Sequence, residues 1–234
     1  MTDAHCHVSG GDPSVREFLV GRDFVGIHPW AALAEARSGR SAGMTLDDLR
    51  AQLAANPRLG VGEIGLDRLK EKTISSEMRE LFAAQLALAF AFRRPVVLHG
   101  AKCWGEVVKE IVRVEAESLR FRTKDGATAF LFHGFSRSDG LIPDIVRLNG
   151  YVSVGPAVLN DHAVNYRALV KKIPLDRLLV ETDRDRAPEE LPNPVTKAPL
   201  TIRDVLAKTA ELRGLPPDEL ETITDANATR FFLL

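Results

Sequence analysis

The sequence predicts an α/β protein built around a parallel sheet. Short apolar segments alternate along the chain with longer amphipathic segments, which is the pattern of repeated strand–helix units. The 234 residues are enough for one α/β barrel or one large α/β domain. Five of the six histidines lie at the ends of predicted strands. In a parallel barrel such positions meet at one mouth.

Seven apolar segments are predicted as strands. They are residues 2–6, 24–28, 59–64, 95–99, 128–133, 151–154 and 178–182. Each is bounded by polar, glycine or proline residues, and most are separated by a segment long enough for a helix. This order predicts that the strands run parallel, as crossover connections require.

The amphipathic segments between these strands are predicted as helices. The first, 45–56, begins with Thr45, and Asp48 three residues later gives it a start that resembles a capping box. The apolar face of the segment 77–92 consists of Leu81, Ala84, Leu88 and Phe92. Further helices are predicted over residues 105–119, 139–148, 164–172, 201–213, 217–222 and 227–232.

Composition and charge are those of an ordinary globular enzyme. Hydrophobic residues make up 45% of the chain and charged residues 27%, close to the usual proportions. The formal net charge of −1 gives no support for strong nonspecific binding to nucleic acid, so any recognition of phosphate must be local. The proline-rich segment 188–199 is interpreted as an ordered surface loop, and we predict one domain over residues 1–234.

Cysteine usage and hydropathy predict a cytoplasmic protein. Cys6 and Cys103 lie far apart and form no disulfide framework, so a reducing compartment is the default. The amino-terminal residues are polar from the start, without an apolar signal core. The longest apolar helical stretch, 81–92, is too short to span a membrane and contains Gln85. We expect no membrane partner, and nothing in the sequence indicates a protein partner.

Histidine placement is the main functional signal. His5 and His7 end the first predicted strand, and their spacing of two residues turns both imidazoles to one side, where they can grip one ion. His99 and His133 each close an apolar strand in the same relation. Asp3 shares the face of the first pair and could brace one of its imidazoles.

Two carboxylates complete the predicted site. Glu63 lies within an apolar strand between glycines, where an unpaired carboxylate is costly to bury and where it can bridge two cations. Asp183 ends a late strand, where it can ligate an ion and accept a proton from an activated water. The structural alternatives are a buried ion pair for Glu63 and a helix cap for Asp183. Asp67 is interpreted as a loop or capping residue, and Glu181 shares the face of Asp183 lower in the barrel.

The combined set predicts a catalytic centre for two divalent ions. The candidate ligands are imidazoles and carboxylates from several strands: His5, His7, Glu63, His99, His133 and Asp183. Nitrogen and oxygen donors together suit zinc, manganese or iron better than calcium. Magnesium is possible where most of the ligands are oxygen atoms. A structural zinc closes with four ligands, whereas this larger set leaves positions open for catalysis. We expect Glu63 and Asp183 to be catalytic, with zinc, manganese or magnesium as cofactors.

The chain resembles the TatD-type metal-dependent deoxyribonucleases of the amidohydrolase superfamily. The matching blocks are D-A-H-C-H at 3–7, G-I-H-P-W at 26–30, G-E-I-G-L-D at 62–67, P-V-V-L-H at 95–99, H-G-F-S at 133–136 and E-T-D at 181–183. They follow the family's order over nearly the whole chain. The resemblance implies a distorted TIM-like (β/α) barrel.

The resemblance also divides the ligands between two ions. It implies that His5, His7 and Asp183 hold one ion and that His99 and His133 hold the second. Glu63 is implied to bridge the two ions. His28 corresponds to a family histidine near the site but outside the metal set, so we interpret it as a substrate-binding residue.

One part of the chain departs from the longer members of the family. Twenty residues separate His7 from His28, fewer than in those members, so one βα unit must be abbreviated. We interpret 18–20 as the remnant of its strand. The segment 9–23 is therefore predicted to leave the barrel irregular, with a short or absent second strand and a more open mouth on that side.

The leading functional prediction is a phosphodiesterase acting on DNA, and the resemblance implies a 3′-to-5′ exonuclease. Two ions would clamp the attacking and leaving oxygens. Lys102, Arg137 and Arg184 follow ligands on the loops of the mouth and are predicted to neutralise phosphate; otherwise they are solvated charges. The alternative is a metal-dependent amidase, deacylase or lactonase, since water activation does not distinguish phosphorus from carbonyl carbon. A metal-binding protein without turnover is disfavoured because every ligand position is filled.

Overall fold

In a computed structural model the chain is described over residues 1–38, 43–70, 72–118 and 128–232. The strands in these ranges are β1 (Thr2–Cys6), β2 (Arg16–Leu19), β3 (Phe24–Val25), β4 (Gly60–Asp67), β5 (Val96–Ala101), β6 (Phe130–Phe132), β7 (Gly150–Val154) and β8 (Leu178–Val180). Strand β1 pairs with β2, and β3 to β8 form a six-stranded sheet in chain order. Every one of these strand pairs is parallel, as predicted.

Main-chain hydrogen bonds join the two sheets around β1. The His5 oxygen accepts from the Asp183 nitrogen at 2.9 Å, and the Arg184 oxygen accepts from the His7 nitrogen at 2.8 Å, both just beyond β8. On the other side, the chain that follows β2 bridges to β3 through Val20. The strands therefore form the distorted barrel that was expected, with their carboxyl ends at one mouth.

The segment between β1 and β3 is abbreviated, as predicted. Strand β2 has four residues and β3 has two, and the described chain has no helix between residues 7 and 28. Strands β1 and β2 consequently lack the outer helix that normally follows a barrel strand. The more open mouth on this side stays a prediction.

Eight helices surround the sheet in the described ranges. They are α1 (Pro29–Ser38), α2 (Leu46–Ala55), α3 (Ser76–Phe92), α4 (Trp104–Ser118), α5 (Ile142–Arg147), α6 (Val164–Val170), α7 (Ile202–Arg213) and α8 (Pro217–Phe232). Helix α1 has no counterpart among the predicted helices, and residue 119, the predicted end of the helix that is α4, lies outside the described residues. The capping box formed by Thr45 and Asp48 at the start of α2 is present. None of the helices in the described chain is both long and apolar enough to cross a lipid bilayer.

Two details of the predicted helices were wrong. The two terminal helices are one continuous α8, because Asn227 does not interrupt it. The buried Asn227 amide instead donates to the Leu175 and Leu178 oxygens, each at 2.7 Å, and so fixes the helix against the start of β8. The buried face of α3 also differs in part from the predicted one: Leu88 is buried as predicted, Leu81, Ala84 and Phe92 are only partly buried, and the other buried residues are Met78, Phe82, Gln85, Leu86, Ala89 and Phe90.

The inside of the barrel is apolar at the amino ends of its strands. Its core joins inward side chains of the strands to those of α8: Ala4, Phe18, Phe24, Val97, Leu131, Tyr151, Leu179, Ala228 and Phe231. The amino terminus contacts α8 as well, since its charge lies 3.0 Å from both Glu221 and Asp225. Helix α8 thus covers this end of the barrel and leaves the carboxyl end of the strands for polar side chains.

Candidate metal centre

The structure brings the six predicted ligands together at the carboxyl ends of the strands. One half of the cluster surrounds Asp183, whose Oδ1 lies 3.3 Å from Nε2 of His5 and 3.6 Å from Nε2 of His7. Both of these nitrogens also lie 3.7 Å from Oε2 of Glu63. The spacing of His5 and His7 at the end of β1 therefore directs both imidazoles at one point.

The other half of the cluster surrounds the second oxygen of Glu63. Its Oε1 lies 2.6 Å from Nδ1 of His99 and 2.6 Å from Nε2 of His133. His28 is more distant, with its Nε2 at 3.8 Å from the same oxygen. Glu63 thus turns one carboxylate oxygen to each set of imidazoles, which is the position that a bridging ligand requires.

Glycines on β4 allow Glu63 to reach this position. A Cβ atom at Gly65 would lie 1.9 Å from the His99 oxygen, and one at Gly62 would lie 2.8 Å from the Cβ of Val97. These glycines therefore allow the close approach of the neighbouring strand β5. It sets His99 directly beside Glu63.

Asp67 has a second role besides the predicted one. It is the last residue of β4 and is fully buried, and its Oδ2 lies 2.8 Å from Nε2 of His99 and accepts a hydrogen bond from Nε1 of Trp30 at 2.7 Å. The interpretation of Asp67 as a loop or capping residue is confirmed in part, because its Oδ1 accepts a hydrogen bond from the Leu69 nitrogen at 2.5 Å, but its contact with His99 was not predicted. It holds the ring nitrogen of His99 that faces away from Glu63, as outer partners of metal-binding histidines commonly do.

Two further side chains support the site through the main chain. Asp3 was predicted to brace an imidazole, but it accepts instead from the nitrogen and hydroxyl of Thr182, at 3.0 and 2.6 Å. Gln85 of α3 is buried, and its amide pairs with the nitrogen and oxygen of Ile27 at 2.7 and 3.0 Å. It thereby fixes the chain next to His28. The only sequence signal for this role was a glutamine within an apolar helical stretch.

Glu181 lies beneath the cluster on the inward face of the barrel. It is fully buried, and it accepts hydrogen bonds from the Gly134 nitrogen at 2.7 Å and the Ser153 hydroxyl at 2.5 Å. Its Oε1 lies 3.9 Å from Nδ1 of His133. Burial raises the pKa of Glu181 to about 7, against the opposing influence of the His133 charge.

The electrostatics of the cluster favour a cation. Burial alone would raise the pKa of Asp183, but the contacts with His5 and His7 outweigh it and lower that pKa. Burial also opposes ionisation of Glu63, whose pKa the charge of His133 holds well below its usual range. Burial lowers the pKa of His133, yet the Glu63 charge raises it to about 10. A divalent ion would supply the positive charge that these carboxylates require and leave the imidazoles neutral, as ligation demands.

Buried nitrogens without partners also fit a metal. His5 is fully buried, yet neither of its ring nitrogens makes a well-formed hydrogen bond with any described residue. Such an atom costs about 1–3 kcal/mol when nothing satisfies it, and coordination would satisfy Nε2. Three groups have ligand atoms within 4.8 Å of one another at the mouth: His5, His133 and Asp183; His5, His7 and Glu63; His28, Glu63 and His99.

Two of the predicted substrate residues are exposed at the mouth. Lys102 and Arg137 line a cavity of about 700 Å³ together with His99, His133 and Asp183. Neither side chain has an ion pair or hydrogen bond within the described ranges. Both residues adopt left-handed backbone conformations, with φ of 57° and 60°, which are uncommon outside glycine and often occur at functional sites.

Arg184 does not lie with Lys102 and Arg137 at the exposed mouth, and its predicted role in binding phosphate is wrong. Only 5% of the residue is exposed. Its Nη2 lies 3.4 Å from Oε1 of Glu17 and 3.5 Å from Oδ2 of Asp3. These buried carboxylates on β1 and β2 draw the guanidinium inward. The pairing depends on strands that are distant in sequence, so the position of Arg184 after a ligand could not reveal it.

A barrel mouth that gathers imidazoles and carboxylates from the ends of several strands is the arrangement expected of a metal-dependent hydrolase. The profile of the family described as TatD related DNase matches residues 20–233. The chain belongs to this family of metal-dependent hydrolases.

Individual relatives agree with this assignment. The uncharacterized metal-dependent hydrolase YabD of Bacillus subtilis is 31% identical over 195 residues, which cover 81% of this chain and 72% of that protein. The 3′-5′ ssDNA/RNA exonuclease TatD of Cronobacter sakazakii is 30% identical over 220 residues, covering 89% and 75%. The crystal structure of YjjV, a TatD homologue from Escherichia coli, matches with a TM-score of 0.70 at 27% identity, over 94% of this chain and 77% of that one.

Proposed function

We propose that the protein is a metal-dependent phosphodiesterase that hydrolyses DNA. The observation that carries this proposal is the pair of exposed cations, Lys102 and Arg137, in the same cavity as the candidate ligands. Arginine can grip a phosphate with two parallel hydrogen bonds, and lysine offers a compact charge. A neutral amide, ester or lactone would gain nothing from these two charges, which would then be solvated side chains only.

In this proposal two divalent ions, either zinc, manganese or magnesium, bind at the mouth. His5, His7 and Asp183 would hold the first ion, and His99 and His133 would hold the second. Glu63 would bridge the two ions. The ions, when bound, supply Lewis acidity towards the phosphate and an acidified water. The contacts of Glu63, with one oxygen towards each set, support the bridging role.

Asp183 is the candidate base. Its side chain is 45% exposed, whereas that of Glu63 is only 5% exposed, so Asp183 faces the cavity and Glu63 is enclosed by imidazoles. Because its pKa is lowered, Asp183 is ionised at neutral pH and can take a proton from the attacking water. Glu63 lies between the two sets of ligands and serves as the bridge.

His28 is the candidate residue for hydrogen bonding to the substrate. Its side chain is 29% exposed at the mouth, and burial lowers its pKa to about 4. The imidazole is therefore neutral at pH 7 and binds through a hydrogen bond rather than through charge. Its distance from Glu63 also makes it an additional ligand candidate.

We further propose 3′-to-5′ exonuclease action on single strands in the cytoplasm. The Cronobacter relative described above has that activity in its name, and its alignment covers most of this chain. The two free cysteines, Cys6 and Cys103, are both buried and are compatible with a reducing compartment.

The proposal is tested by substitution of Lys102 and Arg137, which we call the rim residues. Single-stranded DNA binding and cleavage are measured with manganese or magnesium for the parent, Lys102→Ala, Arg137→Ala and the control Lys171→Ala, an exposed lysine outside the cavity. Each rim substitution is expected to weaken binding for all sequences alike and to reduce the slope of log affinity against log salt by about 0.7. The control should behave like the parent.

The contrary result is equally specific. If both rim variants bind and cleave single-stranded DNA like the parent at every salt concentration, the phosphodiester proposal fails. Turnover of an amide, ester or lactone panel by the metal-loaded parent would then support the carbonyl-hydrolase alternative.

A further inference from the structure

Strand β1 carries His5 and is followed directly by His7, but it lacks a supporting outer helix. In a regular barrel the helix after each strand packs on it and fixes its position. Here the described chain passes from β1 to β3 without a helix, although His5 and His7 must be held accurately against Asp183. Other contacts must therefore fix this side of the barrel.

The guanidinium of Arg184 fills part of the space beside β1. Its Nη2 contacts Oγ1 of Thr182 at 3.3 Å as well as the carboxylates of Glu17 and Asp3. A Cβ atom at Gly10 would lie 2.2 Å from Nη1 of Arg184. The guanidinium is thus enclosed between β1, β2 and the loop that follows β1.

Glu17 extends this contact to the loop after β1. It lies on β2 and is 8% exposed. Its carboxylate accepts hydrogen bonds from the Ser9 hydroxyl at 2.5 Å and the Gly10 nitrogen at 2.6 Å. Because the same carboxylate pairs with Arg184, Glu17 links the loop beyond His7 to the residue beyond Asp183.

Main-chain contacts bring this cluster to the ligands themselves. The Arg184 oxygen accepts from the nitrogens of His7 and Val8 at 2.8 and 3.0 Å. On the other side of Asp183, Thr182 donates to Asp3. The residues that flank Asp183 are therefore fastened to both ends of the segment that carries His5 and His7.

We propose that Arg184 is a positioning residue, which with Glu17 and Asp3 fixes Asp183 against His5 and His7 and thereby sets the affinity for the ion bound there. The inference rests on the proposed function in taking these three residues as ligands. Removal of the arginine takes away the guanidinium that Asp3 and Glu17 share, so the contacts between β1, β2 and the residue after Asp183 are loosened. Among the described residues, none of the hydrogen bonds and ion pairs of Arg184, Glu17 and Asp3 reaches His99 or His133, so we expect the larger effect on the ion held by His5, His7 and Asp183.

The test is a metal titration that does not rely on activity. Metal-free parent, Arg184→Met and Arg184→Lys are titrated with Mn²⁺ by calorimetry, and thermal unfolding establishes that each is folded. We expect two binding events for the parent. In Arg184→Met one event keeps the parent affinity and the other weakens about 10- to 100-fold, the usual effect of losing an outer partner of a ligand. Arg184→Lys, which keeps the charge, should recover part of the loss.

Two controls give the result its meaning. Arg177 lies at the opposite end of β8 and donates to Oδ1 of Asn149 at 2.9 Å, so Arg177→Met should leave both binding events unchanged. A His99→Ala background removes the second position and identifies the event that has weakened. A purely structural role for Arg184 would lower the unfolding temperature without changing one affinity relative to the other.

The outcomes separate this inference from the proposed site. If Arg184→Met does not fold, Glu17→Gln examines the same cluster from β2 and is expected to weaken the same ion only. Parent-like affinities for both ions in every folded variant of the cluster overturn the positioning role and leave the metal site intact. A parent that binds no Mn²⁺ overturns the site and this inference together.

Discussion

The two ends of the barrel interior have opposite chemistry on the same strands. Near the amino ends, the inward residues are apolar and pack with α8: Val97, Leu131, Tyr151 and Leu179. Two residues further along the same strands, the corresponding positions are polar and buried or nearly so: His99, His133, Ser153 and Glu181. Because side chains alternate along a strand, a single step of two residues changes the interior from packed apolar side chains to polar and ionisable ones.

This difference separates stability from function. Burial of apolar side chains at the amino end stabilises the folded state. The polar end opposes folding, because it buries carboxylates and also the His5 imidazole, which has no hydrogen-bond partner among the described residues. Functional sites commonly break the local rules that the rest of the fold obeys. Substitutions at the mouth should therefore affect metal binding and turnover. Substitutions at the amino end of the barrel, which α8 covers and which we call the closed end, should affect the free energy of unfolding.

The largest effect is expected for Asp183→Asn at the mouth. Loss of the ligand and base should reduce the turnover of single-stranded DNA on the order of 10⁴-fold, while DNA binding and metal-free thermal stability are largely kept. The measurement is single-turnover cleavage with excess enzyme. Asp185→Asn, an exposed neighbour, is the control and should retain parent activity; an Asp183→Asn rate within tenfold of the parent would exclude Asp183 as the base.

The next effect concerns the closed end. Phe231→Ala removes a fully buried ring of α8 and should lower the free energy of unfolding by about 3–5 kcal/mol, measured by urea denaturation. The folded fraction should bind Mn²⁺ with parent affinity. Phe232→Ala, at a half-buried position next to it, should cost clearly less. Loss of metal affinity in folded Phe231→Ala would show that the two ends are not independent.

The smallest effect is expected for Asp67→Asn beside the cluster. Asp67 faces the ring nitrogen of His99 that points away from Glu63, so the amide should weaken the ion on the His99 side about 10- to 100-fold. The other ion should bind as in the parent. Calorimetric titration measures both, with the exposed Asp176→Asn as the control. Equal weakening of both ions would contradict a role for Asp67 that is specific to His99.

Much of the fold was accessible from local patterns. The alternation of apolar and amphipathic segments predicted the parallel order of the strands, and the pattern at Thr45 predicted the start of α2. The convergence of His99 and His133 followed from their equivalent positions after apolar strands. These features depend on residues that are near in sequence, since the periods of strands and helices and the chemistry of caps are local.

The sequence by itself thus determined the class of fold, the strands that carry the site and the residue types at the mouth. The tertiary structure alone decided which polar side chains face the cavity and which support it from behind. Arg184 and Glu17 are 167 positions apart in the chain, and Thr182 and Asp3 are 179 apart. No local pattern records such pairings, because a buried charge turns towards whichever counter-charge the folded chain brings within reach.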